Sequence, residues 1–157
     1  MTVSIRGAWL ILLLTLFGCS SLSPTGSENS ALTSESQIVL RLAKYESAMR
    51  EMNFEQVAAC FAEGGEIVNP GASTVKGQKA IREFLSSFSG FAILEISVKA
   101  ELTEVAGTSA RQVGLFAQTF INSAGNKYRV GGHFDALWAR EIDGQWRITR
   151  MQTTQDK

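Results

Sequence analysis

The 157-residue sequence has one histidine, two cysteines and no surplus of charge, with 15 lysines and arginines against 15 aspartates and glutamates. The even charge argues against nucleic acid as a main partner, because phosphate binding needs a clustered basic surface and no such cluster is present. One histidine and two cysteines leave little room for a zinc site built from those ligands, so neither metal nor cofactor is expected. The chain has no phosphate-cradling glycine loop, Ser-His-Asp order, Cys-x-x-Cys pair or metal-spaced cluster. The apolar stretch at residues 7–18 is shorter than the roughly 20 residues a membrane-crossing helix needs. What is present suits one globular domain plus an extra segment. Hydrophobic residues make up 45% and charged residues 19% of the chain, too apolar for a disordered one.

The extra segment is at the start. Arg6 is the one positive side chain of residues 1–6, and residues 7–18 have the proportions of a secretory apolar core. Leu16-Phe17-Gly18-Cys19 follows. A leucine three before a cysteine, with a small residue just before it, resembles the bacterial lipobox. The resemblance implies that a diacylglycerol alkylates the Cys19 thiol, that the peptide is cut after Gly18, and that the new amino terminus is acylated. Two or more acyl chains hold a protein on a bilayer where one is marginal. The implied address is the bacterial cell envelope. Ser20, in place of Asp, implies the outer membrane facing the periplasm in a Gram-negative cell. The alternative is an ordinary cleaved signal or an uncleaved anchor. Residues 19–33, rich in serine with Pro24, Gly26 and Asn29 and no apolar period, predict a flexible tether. With Cys19 lipidated, Cys60 has no partner for an internal disulfide. Its apolar setting, Val57-Ala58-Ala59-Cys60-Phe61, predicts core packing.

Residues 34–153 carry the domain. Ser34 and Gln37 have capping-box spacing, and Ile38, Leu42, Tyr45 and Met49 make one stripe of a helix. Asn53 can cap a second helix with Phe54, Val57, Ala58 and Phe61 on one face, stopped by Gly64-Gly65. Glu66-Ile67-Val68 reads as a short strand ended by the turn Asn69-Pro70-Gly71. A third helix follows Gly77, with Ile81, Phe84, Leu85 and Phe88 on one face. From Phe91 the period becomes two. Ala92, Leu94, Ile96, Val98, Ala100 and Leu102 alternate with mostly polar residues. Further strands are predicted at residues 110–121, 127–141 and 145–152, joined by short turns. Three helices and four long strands predict an α+β fold: helices in the concave face of a strongly curved antiparallel sheet, leaving a cone whose wide end is a pocket.

Several phrases in this order resemble the nuclear transport factor 2-like superfamily, in particular its SnoaL-like and ketosteroid isomerase-like branch. They are Phe61-Ala62-Glu63, the run Val75-Lys76-Gly77-Gln78-Lys79-Ala80-Ile81-Arg82-Glu83-Phe84, and Trp138 followed by Asp143-Gly144-Gln145-Trp146-Arg147-Ile148. The resemblance covers roughly residues 36–152. It implies the cone fold, but the fold hosts isomerases, cyclases and binding modules alike.

By the same resemblance Tyr45 matches the tyrosine that donates to the developing enolate oxygen in ketosteroid isomerases. Asn69 stands where those enzymes carry the aspartate base, directly before proline. A carboxamide is essentially non-basic and cannot take a proton from carbon. Glu66 falls on the opposite face by strand parity. Asn69 reads as a turn residue bonding local backbone, with its amide available to a ligand. His133 and Asp135 share a strand face, roughly 6.5–7 Å apart. Tyr128, Val130, Phe134, Ala136 and Trp138 take the core face, which leaves His133 and Asp135 on solvent or a subunit interface. A bulge at Gly131-Gly132 would swap the faces and make them catalytic candidates with Tyr45. Gln118, Phe84, Phe88, Phe116, Phe134 and Trp138 are candidate lining, or plain core. The expected function is a non-catalytic module that binds a small apolar molecule or forms a homodimer through its sheet. The alternative is an isomerase- or cyclase-type enzyme using Tyr45 with His133 or Asp135.

Overall fold

The computed structural model describes residues 32–156. The signal segment, Cys19 and nearly all of the tether lie outside them. The first helix, α1, spans Ser34–Arg50. Its N-cap is Thr33 rather than Ser34. The Thr33 hydroxyl accepts from the Ser36 N–H at 3.2 Å, and the Gln37 side chain reaches back to donate to the Leu32 carbonyl at 2.9 Å. Both bonds satisfy groups left open at the helix start. Ile38 and Leu42 are buried, and Tyr45 and Met49 pack half-buried on the same core.

Helix α2, Phe54–Ala59, is capped by Asn53, whose side chain accepts from the Gln56 N–H at 3.1 Å. It ends before Gly64-Gly65, which do not stop it. Strand β1, Phe61–Val68, starts almost at once and contains both glycines. A Cβ on Gly65 would stand 2.7 Å from the Ile148 carbonyl oxygen. The glycine therefore lets two strands close on each other at an irregularity in their register.

Strand β2 is Val75–Lys76, helix α3 is Gln78–Ser86, and β3 to β6 are Phe91–Ala106, Ser109–Asn122, Lys127–Arg140 and Trp146–Gln155. They form one sheet in the order β2-β1-β6-β5-β4-β3. The sheet is mixed, not purely antiparallel, because the last strand of the meander runs in the same direction as β1 and pairs with it in parallel. Ile38, Leu42, Val57 and Ile81 from the helices meet Phe134, Trp138, Ile148 and Met151 from the sheet in a single core. Each such fully buried side chain stabilises the fold by roughly 1.5–3 kcal/mol.

Bulges reset the strand faces. The β3–β4 register shifts between Ile93 and Glu95 and again between Ala100 and Leu102. Phe91 and Ile93 face the helices, then Ile96 and Val98 take over. Leu94 and Leu102, expected on that face, are turned outward, at 46% and 51% exposed. In β6 the residue Thr149 is extra against β5, so inward positions step from Trp146 and Ile148 to Met151 and Thr153. By contrast, β4–β5 pairing runs unbroken through Gly131 and Gly132. The glycine pair does not swap the faces of β5.

Candidate ligand cavity

Between the helices and the inner face of the sheet lies a cavity of about 320 Å³. That is within the size range of small-molecule sites. Helix α1 contributes Tyr45 and Met49, α3 contributes Phe84 and Leu85, and Phe88 comes from the turn after α3. The strands add Ile93, Ile96, Val98, Phe116, Val130 and Phe134 among others. Trp138, expected in this lining, packs in the core instead at 2% exposed, between Ala110 of β4 and Ile148 of β6. Cys60 is also buried, its thiol donating to the Gln56 carbonyl at 3.3 Å, and burial raises its pKa.

A chain of rings rims one end. Phe84 meets Phe88 at a centroid distance of 5.3 Å, Phe88 meets Phe91 at 6.3 Å, Phe91 meets Phe120 at 5.5 Å, and Phe120 stacks on Tyr128 at 5.3 Å. Phe88 and Tyr128 are 44% and 43% exposed, which puts this end at the cavity mouth.

Five polar side chains reach the cavity: Tyr45, Asn69, Gln118, Thr153 and Gln155. No carboxylate, imidazole, ammonium or guanidinium is among the lining residues. Burial pushes the Tyr45 phenol up from 10.0 to about 12, with a smaller contribution from nearby Cys60. Taking an anion out of water costs more than taking out a neutral phenol, so Tyr45 is a donor and not a base. Its ring rests edge-on against Phe61 at 6.2 Å, and its hydroxyl bonds to no described residue. Asn69 does not bond local backbone through its side chain. Its Oδ1 accepts from the Thr153 hydroxyl at 2.7 Å, across the β1–β6 seam. With Oδ1 taken, what the Asn69 side chain still has to offer is its amide N–H groups.

His133 and Asp135 are elsewhere. They alternate with Gly132 and Phe134 on β5, so they emerge on the outer face of the sheet, away from Tyr45. His133 is largely solvent-exposed, with Asp156 at 3.9 Å. Asp135 holds Arg111 in a two-point pair at 3.1 and 2.6 Å. Glu66 also points outward, to Lys76 at 3.0 Å. The structure thus brings together Tyr45, Asn69, Gln118, Phe84, Phe88, Phe116 and Phe134, and leaves the two ionisable candidates outside. Thr153 and Gln155 were not anticipated; the β6 bulge that turns them inward carries no glycine or proline to signal it. Among the described residues, no three acidic, cysteine or histidine side chains stand together as a metal site. No described helix is long and apolar enough to cross a membrane.

The SnoaL-like domain family matches residues 30–152. The chain belongs to the SnoaL-like domain family. A ketosteroid isomerase-like protein from Erwinia carotovora atroseptica SCRI1043 superposes with a TM-score of 0.71 at 18% identity, over 80% of this chain and 99% of that one. An NTF2-like protein with a cystatin-like fold from Novosphingobium aromaticivorans gives 0.59 at 20% identity, over 75% and 79%. A protein of unknown function with a cystatin-like fold from Nostoc punctiforme gives 0.60 at 19% identity, over 80% and 94%. At these identities the likeness is one of fold. No curated protein matches the chain.

Proposed function

We propose that the domain is a non-catalytic binding module, held at the cell-envelope membrane by lipid on Cys19. Its ligand is a small, mainly apolar molecule carrying a neutral oxygen function. The observation that carries this reading is the cavity wall, which is apolar and aromatic with a few neutral hydrogen-bonding groups. A charged ligand would lose its hydration there with no counter-charge to replace it. A carbonyl or hydroxyl oxygen can accept from Tyr45 Oη and from the Asn69 amide. Proton abstraction from carbon has no base in this wall, and the enzyme alternative needs His133 or Asp135 on the other side of the sheet.

One observation favours a second property. Leu94, Leu102, Leu115 and Leu137 are 46%, 51%, 39% and 39% exposed, and Leu115 and Leu137 alternate with the inward positions of β4 and β5. This outer face supports homodimerisation through the sheet, which sedimentation equilibrium checks by mass.

The test of binding is native mass spectrometry of the protein extracted from its own membranes, alongside Nile red fluorescence. Expected results are a retained small molecule and an enhanced, blue-shifted dye emission. Val98→Phe, which fills the cavity, should abolish both with the fold intact by circular dichroism. An empty wild type that leaves the dye in water sinks the reading. So does retention undiminished in Val98→Phe. Cell fractionation of Cys19→Ala tests the anchor, with release from membranes expected.

A further inference from the structure

Away from the cavity, α1 and the β5–β6 turn enclose a surface groove lined by Gln37, Leu40, Arg41, Lys44, Arg140 and Asp143 among others. Arg41, Lys44 and Arg140 have no carboxylate within 4.0 Å among the described residues, whereas the acidic groups nearby are taken. Asp143 is held by Arg147 at 2.6 and 3.0 Å, which keeps its carboxyl down at about 2, and Glu141 accepts from the same guanidinium. Two aliphatic side chains flank the groove. Leu40 is 56% exposed, and Ile142, at the tip of the turn, is 108% exposed. A β-branched residue at a tight turn, closed here by Gly144 N–H to Glu141 O at 2.8 Å, gives the fold neither burial nor a favoured conformation. Arg140 donates through Nε to the Gly144 carbonyl at 3.1 Å, yet none of the three cations has a carboxylate partner, and cations beside protruding aliphatic groups match a surface that rests in lipid headgroups.

The chain's entry point is at the same place. Gln37 lines the groove and donates to the carbonyl of Leu32, the first described residue. From Cys19 to Leu32 the covalent chain reaches at most about 45 Å.

We propose that this groove is the membrane-facing surface of the domain: Arg41, Lys44 and Arg140 engage anionic phospholipid headgroups while Leu40 and Ile142 enter the acyl boundary. This rests on the lipid-anchor reading above. It gives the domain one orientation on the bilayer, with the aromatic mouth at the far end of β4 and β5 from the Ile142 turn.

The test uses the full-length protein in vesicles of phosphatidylcholine, alone or mixed with phosphatidylglycerol. An environment-sensitive fluorophore is attached at Ile142→Cys or, as a control in the β4–β5 turn, at Ser123→Cys. Wild type should take up no label, because Cys19 is blocked and Cys60 is buried. In mixed vesicles the Ile142 probe should be quenched by brominated lipid and the Ser123 probe should not. Arg41→Gln with Lys44→Gln should lower the ratio of docked to lifted domain roughly 25-fold, at about fivefold per cation. An anchored protein whose Ile142 probe stays unquenched overturns the inference and leaves the anchor standing. Equal quenching at both probes, or quenching indifferent to phosphatidylglycerol and to the two glutamines, overturns it too. A wild type that takes up label and leaves the vesicles overturns the anchor reading, and this inference with it.

Discussion

Tyr45 is the titratable side chain of the cavity wall, and its ionisation is measurable in isolation because the chain has two tyrosines. Subtracting the alkaline titration of Tyr45→Phe from that of wild type, followed in the near-ultraviolet tyrosinate band, leaves the Tyr45 curve alone. Burial places its midpoint at about 12 against an ordinary 10.0. The folded state therefore keeps a proton over a range where the unfolded chain has released it. The associated stability is complete below pH 10 and is lost as pH rises through 12. Two pKa units correspond to about 3 kcal/mol. Urea melts at rising pH should show wild type losing that much relative to Tyr45→Phe. Below pH 10 the variant should be about as stable as wild type, since the hydroxyl has no protein partner to lose. A midpoint at or below 10 would refute the reasoning. It would mean that water or a positive charge reaches the phenol.

Three further outcomes follow from the packing. Gly114→Ala places a Cβ 2.0 Å from the Lys99 carbonyl oxygen and 2.9 Å from the Ala100 Cα, both backbone atoms. Chemical denaturation should report a loss of about 3 kcal/mol, and a loss below about 1 kcal/mol would show that the β3 bulge gives way. Gln112 is fully buried, its amide donating to Thr103 Oγ1 at 3.0 Å while Oε1 meets no partner among the described residues. Gln112→Met should therefore be neutral or stabilising by about 1 kcal/mol, and a loss beyond about 2 kcal/mol would reveal a partner for that oxygen. Asp143 has its carboxyl lowered to about 2 by the Arg147 hydrogen bonds. Its contribution is present above the unfolded value near 4 and lost as pH falls toward 2. Acid titration of Asp143→Asn should show a shallower decline across that window, and an unchanged slope would refute the pairing.

The helices were legible because their signals are local. Asn53 before Phe54, the spacing of Ile38, Leu42, Tyr45 and Met49, and Gly77 ahead of Ile81 and Leu85 each act within a few residues. The strands were legible as strands but not as faces. A bulge costs the sequence one residue of phase and leaves composition unchanged, so Leu94 and Leu102 look as apolar as Ile96 and Val98. Gly131-Gly132 suggests a bulge, with a face swap as the alternative to plain alternation, and the pairing there is regular. Gly114, which permits the real shift, is a single glycine beside ordinary residues. The parallel pairing of β1 with β6 was equally out of reach, since no local signal reports which strands become neighbours.

The same non-local closure makes the site. Asn69 and Thr153 are 84 residues apart and meet through the β1–β6 seam plus the Thr149 bulge. Without that bulge, Thr153 would face outward and Asn69 Oδ1 would lose its donor. Parity explains the rest. On β5 the inward positions are Val130, Gly132, Phe134, Ala136 and Trp138, all apolar, and the ionisable His133 and Asp135 take the intervening outward ones. A catalytic carboxylate or imidazole cannot be gained here by sliding β5, because a one-residue slip would bury Arg129, His133 and Asp135 together and expose Phe134 and Trp138. Of the few polar positions already facing the cavity, Asn69 is the one held in place by Thr153, whose hydroxyl donates to its Oδ1.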